Sequence, residues 1–437
     1  MRLNRSARGS IPAALLSIAV LTAIPLTAQE EGPPQFRPAP WLGLGVELRS
    51  RSETDTGVNF EPDHRHLFTL SRIRLAADVQ APAWLRFHVT LQDARTLAGE
   101  DPDIREQNRN ELDFLDAYLE AAPDEGSVWR LRIGRQALAF GAEDLVGADE
   151  EWSNRGQRFD AIRVTVKPEN WTWDLFSGSL VHVLPGKLDE IRYTHRLSGV
   201  YGRWESQDAG LEIEPFVFWK FAPQSNESGG TDGWRSEWTP GVSATKELRH
   251  GFSLYGEVAL QFGQALHQPV HAWATAWELR HPLTRDKHSE IVLGWAHSSG
   301  DRQPRDGRRG TFDDLYPAAY NGCGFLVPFA WRNIRDLHAG ANGKLTRNLS
   351  WNSELHSYWL DSKSDGVYVD EETWVRLGPE ADSSRLGAQW DVLLAYRQSR
   401  RWNVGIGYAH FFPGPYLQQN APAAAGQNAF LSWTWIP

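Results

Sequence analysis

One stretch of sequence decides the fold of this chain: Phe252-Ser253-Leu254-Tyr255-Gly256-Glu257-Val258-Ala259-Leu260-Gln261-Phe262. Every second residue in it is apolar or glycine, and the residues between them are polar or small. A period of two is typical of a β-strand that shows one face to apolar surroundings and the other to polar ones. The same alternation recurs in residues 349–356, 386–396 and 402–409. The pattern therefore predicts an all-β protein.

Similar segments follow one another along the whole chain and predict about eighteen strands. Their predicted bounds are 41–49, 66–79, 85–93, 112–121, 128–134, 161–167, 172–179, 198–205, 211–221, 238–247, 252–262, 271–280, 289–298, 334–345, 349–359, 385–398, 402–412 and 429–436. Tight turns such as 167–170 alternate with long polar stretches such as 223–237, 299–333 and 360–384. Short periplasmic turns that alternate with long external loops are typical of outer-membrane barrels. We therefore expect residues 29–437 to form a single transmembrane antiparallel β-barrel.

The first 28 residues have the layout of a secretory signal peptide. Arg2, Arg5 and Arg8 precede an apolar run over 11–26, and the acidic segment 29–31 follows it. The apolar run is short and contains prolines, which favours a cleaved signal peptide over the alternative of a retained anchor. After residue 28, no apolar stretch approaches the roughly 20 residues of a transmembrane helix. Any membrane crossing is therefore expected to use strands.

The composition of the chain excludes several classes of protein. Its 437 residues include one Cys, one Met and 21 Trp, and the formal net charge is −10. A single cysteine rules out an intrachain disulfide framework and a thiolate metal cluster. The acidic excess argues against nucleic-acid binding, because no basic face is visible. We expect the negative charge to lie mainly in loops and turns.

Aromatic residues are concentrated at the ends of the predicted strands. Aromatic rings in these positions form the girdles that lie at the headgroup level on both sides of a membrane. The alternative is a secreted β-protein that uses the rings as core residues or as platforms for sugars. The end of the chain, 430–435, resembles the aromatic last strand that the barrel assembly machinery recognises. The tryptophans concerned are Trp41, Trp84, Trp129, Trp171, Trp173, Trp351, Trp359, Trp402, Trp433 and Trp435.

If the apolar faces contact lipid, the alternate positions point into the barrel, and several of them are basic. Rings of Arg and Lys in a pore favour anions. The alternative is that the arginines neutralise interior carboxylates such as Asp113, Asp116, Glu120 and Asp160, and the two roles are compatible because guanidinium binds both. The interior basic residues predicted from the alternation are Arg72, Arg74, Arg86, His88, Arg130, Arg132 and Arg163.

Two blocks of sequence resemble the bacterial alginate export family. Residues 133–141 (IGRQALAFG), followed by 151–154 (EWSN) and 158–163 (RFDAIR), are similar to that family's GRQ…FG…W.N…FDG.R block. Residues 308–317 (RRGTFDDLYP), followed by WRNI and GYAHFFPG, are similar to its GTFDQLYP, WRNI and GY.HFFPG motifs. One departure is Ala161, where the family often has Gly. The resemblance extends over essentially the whole chain after residue 28.

The resemblance implies an outer-membrane barrel of about eighteen strands that passes an anionic polysaccharide or a related solute through an arginine-rich constriction. It implies that Arg135, Arg158, Asp160 and Arg163 are pore residues, of which Arg163 is also predicted from the alternation. It also implies that the segment 307–322 is a lumen or lid element, the alternative being an ordinary external loop. In that segment Phe312 and Tyr316 would stack on sugar rings, while Arg308 and Arg309 would bind carboxylates.

No motif in the sequence predicts an enzyme. His64 and His66 lack a third metal ligand at a recognisable spacing, and no GxSxG elbow, Walker loop or HExxH helix is present. Paired carboxylates such as Asp313-Asp314 and Glu371-Glu372 are expected to be solvated loop residues or incidental Ca²⁺ ligands. Cys323 has no partner cysteine. We therefore expect no catalytic site, no cofactor and no resident metal.

The sequence thus predicts an outer-membrane channel that passes an anionic saccharide, such as alginate or uronate oligomers. Its expected partners are outer-membrane lipid, the anionic solute and the barrel assembly machinery. A general diffusion porin is the first alternative, and a secreted polysaccharide-binding or polysaccharide-cleaving β-protein is the second.

Overall fold

The computed structural model of the protein describes residues 36–57, 60, 65–80, 82–99, 102–123, 127–150, 152–225, 231–284, 288–318, 324, 329–369, 374–375, 382–399, 401–420 and 423–437. The predicted signal peptide lies outside these ranges, as do His64, Cys323 and Glu371-Glu372. Everything said below about the structure concerns the described ranges.

The regular secondary structure of the described chain is almost entirely β-strand. The strands are β1 Phe36–Ala39, β2 Leu42–Thr56, β3 Arg65–Gln80, β4 Leu85–Ala98, β5 Asn110–Ala121, β6 Trp129–Gln136, β7 Phe159–Val166, β8 Trp171–His182, β9 Glu190–Ser206, β10 Leu211–Ser225, β11 Thr231–Glu247, β12 Ser253–Ala265, β13 Gln268–Pro282, β14 Ser289–Ser298, β15 Ile334–Lys344, β16 Leu349–Leu360, β17 Val367–Tyr368, β18 Trp374–Val375, β19 Arg385–Arg397, β20 Trp402–Pro413 and β21 Gly426–Trp435. The two short helices are α1 Pro102–Gln107 and α2 Pro415–Asn420. In the described part of the chain, neither helix is long and apolar enough to cross a membrane.

The strands close into a barrel. Each barrel strand pairs antiparallel with its neighbours in the chain, and β2 pairs with both β3 and β21, which joins the first strand to the last. The result is a closed antiparallel barrel of 18 strands. Strand β1 extends the edge of β2, and β17 and β18 pair with each other in a separate two-stranded sheet. The predicted fold class and strand number are confirmed.

The two faces of each strand have different chemistry. On β12, Val258, Leu260 and Phe262 are exposed on the outside, whereas Glu257 and Gln261 are buried inside. The other barrel strands repeat this pattern, and together they form an outer belt of exposed Leu, Ile, Val, Phe and Trp. Such a belt requires lipid, because exposing so much apolar surface to water would be unfavourable. The barrel therefore contradicts the alternative of a soluble secreted β-protein.

The predicted aromatic girdle is visible at the end of the barrel that carries the short turns. Trp41, Trp84, Trp129 and Trp402 are exposed there, each next to or at the first residue of a strand. Trp171 stacks on Trp173 with a centroid distance of 4.9 Å. Short turns mark the periplasmic end of an outer-membrane barrel, and the long connections mark the external end.

The described parts of two long connections, 137–158 and 299–333, fold into the barrel and fill part of its interior. Phe140 stacks on Phe176 and Tyr201 of the wall at 4.8 and 4.9 Å, and Tyr316 packs edge-on against Phe159 at 5.5 Å. The two connections also pair with each other: Tyr316 donates its N–H to the Leu145 carbonyl at 2.9 Å, and Gly147 donates to the Tyr316 carbonyl at 2.9 Å. The hydrophobic core of the protein therefore lies inside the barrel.

Candidate functional site

The basic side chains of the first strands line one side of the barrel interior. On β3, Arg72 and Arg74 alternate with Ile73 and Leu75, and the two apolar residues are exposed on the outside. Neighbouring strands repeat this arrangement. We call this surface the basic wall; its members on β2 to β7 are Arg49, Arg51, Arg72, Arg74, Arg86, His88, Arg130, Arg132 and Arg163.

The arginines at mid-height on the basic wall hold the 137–158 connection. Arg74 binds the Glu150 carboxylate at 2.5 Å, and Arg72 donates to the carbonyls of Glu150 and Ser153 at 3.1 and 3.0 Å. Arg51 donates to the Trp152 carbonyl at 2.6 Å, and its guanidinium lies 3.7 Å from the centre of the Trp152 ring. These contacts join residues that are 76 to 101 positions apart in the chain, which is why the sequence did not reveal them.

Glu150 and Arg158 form the centre of this anchor. Arg158 binds Asp116 of β5 at 2.6 Å and also contacts Glu150. Burial alone would raise the pKa of the Glu150 carboxyl, but the positive charges of Arg158 and Arg74 outweigh it and hold that pKa well below its usual range. Burial likewise disfavours the charged form of Arg158, whereas Asp116 and Glu150 raise its pKa above the usual value. Glu150 and Arg158 are therefore both charged at neutral pH.

A second set of arginines, nearer the periplasmic end, remains accessible from the interior. The exposed fraction of the side chain is 42% for Arg130, 25% for Arg86, 21% for Arg163 and 17% for Arg132, against 4% for Arg72. We call these four residues the accessible band. Each member has a carboxylate partner. Arg132 binds Glu120 at 2.7 Å, Arg130 lies 3.5 Å from Glu120, Arg86 binds Asp78 at 2.5 Å and Arg163 binds Asp174 at 2.7 Å.

Two residues suggested by the family motifs lie on the other side of the wall. Arg135 and Asp160 pair with each other at 3.1 Å, and each is two residues away from an exposed apolar residue of its own strand, Ile133 and Ile162. Because side chains two apart share a face of a strand, the pair lies on the outer face. This corrects the expectation that Arg135 and Asp160 line the pore. Gly134 has a φ of +129°, and a Cβ there would lie 2.3 Å from the Ala117 carbonyl oxygen, which explains the glycine of this motif.

The segment 307–322 is described as far as residue 318, and its second half enters the barrel. Phe312 and Tyr316 are each only 1% exposed, and Phe312 packs edge-on against Trp331 at 5.7 Å. The expected stacking of these two rings on sugars is therefore wrong, because both belong to the core. Arg308 is exposed, whereas Arg309 is half-buried and pairs with β13 through its backbone.

Asp313 anchors this segment to the opposite side of the interior. It binds Lys220 at 3.0 Å, Arg235 at 2.5 Å and Arg332 at 3.3 Å, and Asp314 binds Arg332 at 2.6 Å. Burial alone would raise the pKa of Asp313, but the three cations outweigh it and hold that pKa far below its usual range. The Asp313-Asp314 pair is therefore neither solvated nor arranged as a Ca²⁺ site. The sequence around Asp313 and Asp314 gives no local sign that these carboxylates bind Lys220, Arg235 and Arg332, because those residues lie far away in the chain.

The interior of β10 to β19 is acidic, which corrects the expectation that negative charge lies mainly in loops. We call this surface the acidic wall. Its carboxylates occupy inward-facing positions, as the arginines do on the basic wall. The alternation on these strands was therefore enough to predict that these carboxylates face the interior. The buried members are Glu214, Glu237, Glu257, Glu278, Asp336, Glu354 and Asp391.

Comparison with known proteins agrees with this architecture. The family model described as alginate export matches residues 40–430. No curated protein sequence is similar enough to this chain to count as a match. Among solved structures, Pseudomonas aeruginosa OpdO is similar with a TM-score of 0.60 and 12% identity, covering 91% of this chain and 97% of that one.

Two further structures have the same fold. Pseudomonas aeruginosa OpdK, solved with vanillate, has a TM-score of 0.61 and 9% identity, and covers 90% of this chain and 98% of its own. Acinetobacter baumannii OccAB1 has a TM-score of 0.59 and 10% identity, and covers 90% of this chain and 96% of its own. Identities this low speak for the fold alone, and these neighbours are outer-membrane porins. The family match over most of the chain, together with the closed barrel and its apolar belt, establishes that this protein is a bacterial outer-membrane β-barrel channel of the alginate export family.

Proposed function

We propose that the protein is a passive, non-enzymatic channel for anionic solutes, and that carboxylated saccharides such as uronate oligomers are its substrate class. The observation that carries the proposal is the accessible band. Arg130, with a 42% exposed side chain, leaves N–H groups available to a passing carboxylate even though Glu120 lies 3.5 Å away. A guanidinium group binds a carboxylate through two parallel hydrogen bonds, in bidentate geometry. A row of such groups can therefore pass an acidic sugar from one to the next.

The other interior arginines have a different role in this proposal. Arg72 is buried beneath the 137–158 connection and binds its backbone, whereas Arg158 belongs to the connection and binds Asp116 of the wall. They act on transport by setting the position of that connection. Solute contact is assigned to Arg86, Arg130, Arg132 and Arg163.

Ion selectivity in planar bilayers tests the proposal. Arg130→Ala removes one accessible charge, Arg130→Lys keeps the charge, and Arg95→Ala removes an arginine from the outer face of β4, where the side chain is 54% exposed. In water, a unit charge at roughly 10 Å contributes about 0.4 kcal/mol to a passing ion, which corresponds to about a twofold change in permeability. Because the charge acts in opposite directions on anions and cations, we expect Arg130→Ala to lower the anion-to-cation permeability ratio by about fourfold, and the two control variants to leave it unchanged.

Uronate oligomers added to the bath should block the current of the wild-type channel more strongly than neutral oligomers of the same length, and Arg130→Ala should weaken that block. The uronate oligomers should be recovered uncleaved. A wild-type channel that prefers cations, or that uronates and neutral sugars block equally, would exclude the anionic substrate class.

A general diffusion porin without saccharide preference is the second candidate. It is favoured by the carboxylate partners of the accessible band and by the acidic wall, which together offset much of the positive field in the interior. Equal block by charged and neutral oligomers is the result that this alternative predicts.

We also propose that residues 1–28 are removed as a signal peptide and that the barrel assembly machinery inserts the chain. The proposal rests on the sequence pattern of the first 28 residues and on the aromatic composition of β21. N-terminal sequencing of protein extracted from outer membranes tests the first part, and a start at Met1 would contradict it. Loss of the folded form after depletion of the assembly machinery tests the second.

A further inference from the structure

One cluster on the acidic wall has the geometry of a metal site. Asp336 and His338 lie two residues apart on β15 and share its inner face, and His356 lies directly opposite His338 on β16. All three side chains are buried, and one donor atom from each lies within 4.8 Å of the others. A single β-hairpin therefore supplies three converging ligands.

The donor atoms already converge on one point. His338 Nδ1 lies 3.0 Å from Asp336 Oδ2, and His356 Nδ1 lies 2.9 Å from the same oxygen. Ligands of a tetrahedral zinc ion, with bonds of about 2.0–2.1 Å, are roughly 3.3 Å apart. A Zn²⁺ ion therefore needs only small side-chain movements to replace the two Nδ1 protons.

The far side of each imidazole faces a second carboxylate. His338 Nε2 lies 3.7 Å from Glu278, and His356 Nε2 lies 3.7 Å from Glu354. A carboxylate behind each histidine is the usual surrounding of histidines that bind zinc, because it fixes the ring and makes the bound nitrogen more basic. Gly294 contributes as well, since a Cβ there would lie 2.0 Å from His338 Nε2.

The charge and hydrogen bonding of the cluster also favour a cation. With neutral imidazoles, the carboxylates of Asp336, Glu278 and Glu354 outnumber the guanidinium of Arg280, which binds Glu278 at 2.6 Å. Among the described residues, Asp336 Oδ1 has no hydrogen-bond partner although Asp336 is 0% exposed. A buried carboxylate oxygen without a partner is costly, and a metal ion would satisfy it.

We infer that Asp336, His338 and His356 form a binding site for a divalent transition-metal ion of the zinc class, with the fourth coordination position open. This inference differs from the expectation, drawn from the sequence, that the protein has no resident metal. The sequence signal lies in two short strings, Asp336-Leu337-His338 and Glu354-Leu355-His356, whose spacing of two places both ends of each on one face of a strand. The ion would link β15 to β16 close to Ile334, where β15 begins after the 299–333 connection. This inference is independent of which solute the channel passes.

Metal content of tag-free full-length protein tests the inference. The protein is denatured, treated with a chelator and refolded into detergent. Zn²⁺ is added either during refolding or only afterwards, because the site is buried and an ion has little access to it once the chain has folded. Folding is checked by the shift in gel mobility on boiling. The variants are Asp336→Asn and His356→Gln, and the matched control is His88→Gln, which alters a buried interior histidine that also faces an aspartate, Asp78, at 2.9 Å.

We expect about one Zn²⁺ per chain in the wild type and in His88→Gln, and a loss of at least about tenfold in both site variants. Cobalt refolded into the wild type should give the strong visible absorption of a four-coordinate ion. Wild-type protein that folds without retaining Zn²⁺, or site variants that retain as much as the wild type, would show a hydrogen-bonded His–Asp–His cluster without metal. If the variants do not fold, the cobalt spectrum of the wild type decides, since its absence contradicts the site.

Discussion

Arg49 and Arg72 lie directly opposite each other on β2 and β3, and both are buried inside the barrel. Two like charges in that position repel each other. The folded-in connection compensates, because Arg49 donates to the Trp152 carbonyl at 3.2 Å and Arg72 donates to the Glu150 and Ser153 carbonyls. Glu47 adds a salt bridge to Arg72 at 2.7 Å. The basic wall and the 137–158 connection therefore stabilise each other.

Glu150→Gln should release this connection. The substitution removes the carboxylate that binds Arg74 and Arg158, and breaking a buried ion pair from one side costs about 3 kcal/mol. We expect trypsin to cleave after Arg158 and the single-channel current to become larger and noisier.

Glu143→Gln is the matched control, since Glu143 lies in the same connection and accepts a hydrogen bond from the Ala148 N–H instead of binding arginine. Burial and then the charge of Glu150 raise the pKa of Glu143, so the neutral amide should be tolerated. Equal effects of the two variants would contradict the anchoring role of Glu150.

Asp174→Asn should increase the preference for anions. Asp174 neutralises Arg163 through contacts of 2.7 and 2.9 Å, and its loss would leave that guanidinium free to attract solute. We expect the anion-to-cation permeability ratio to rise by about fourfold, the reverse of the effect of Arg130→Ala. Asp93→Asn on the outer face of β4 is the control. A lower ratio in Asp174→Asn would be inconsistent with solute contact at Arg163.

Arg135→Ala should leave the permeability ratio unchanged. Its side chain lies on the outer face with Asp160, so no ion that crosses the interior passes it. The same bilayer measurement applied to Arg130→Ala provides the comparison. A change in selectivity as large as that of Arg130→Ala would place Arg135 in the pore after all.

The 299–333 connection should remain docked in mild acid. The folded-state pKa of Asp313 is far below the value of about 3.9 that an aspartate has in an unfolded chain. Its contribution to stability is therefore complete above about pH 4 and is lost only as the pH falls further, toward the folded-state pKa. We expect proteinase K, which stays active in mild acid, not to cleave after Phe312 at any pH between 7 and about 4.5.

Asp313→Asn should be cleaved there throughout that range, because Lys220 and Arg235 then lose their shared anion. Release of the wild-type connection at pH 5 would contradict the assignment of Asp313 as its anchor.

Val258→Arg should destabilise the barrel much more than Leu254→Arg. Val258 points outward near the middle of β12, whereas Leu254 points outward near its periplasmic end. An arginine on the lipid face costs about 2–4 kcal/mol at the midplane and about 0–1 near the interface. Unfolding in urea from lipid vesicles measures the difference. Equal costs at the two positions would be incompatible with this orientation in the membrane.

The sequence alone was sufficient for the barrel, its strand number and the direction of most interior side chains, because a period of two is a local property of each strand. It placed strand ends less well on the external side: β9 begins at Glu190 and β11 at Thr231, several residues before the predicted starts at 198 and 238. Strands there extend beyond the lipid, where no apolar face is needed. The period of two also groups Arg135 with Ile133, and only the family motif suggested the opposite face.

Tertiary structure alone decided which partners the interior charges find. The contacts of Arg72 with Glu150, of Asp313 with Lys220, and of Tyr316 with Leu145 join segments that are far apart in the chain, and only barrel closure brings them together. Closure of the barrel also determined which interior arginines remain accessible, because it sets which parts of the wall the 137–158 and 299–333 connections cover. The convergence of Asp336, His338 and His356 depends on the register of β15 and β16, which the alternation of a single strand does not specify.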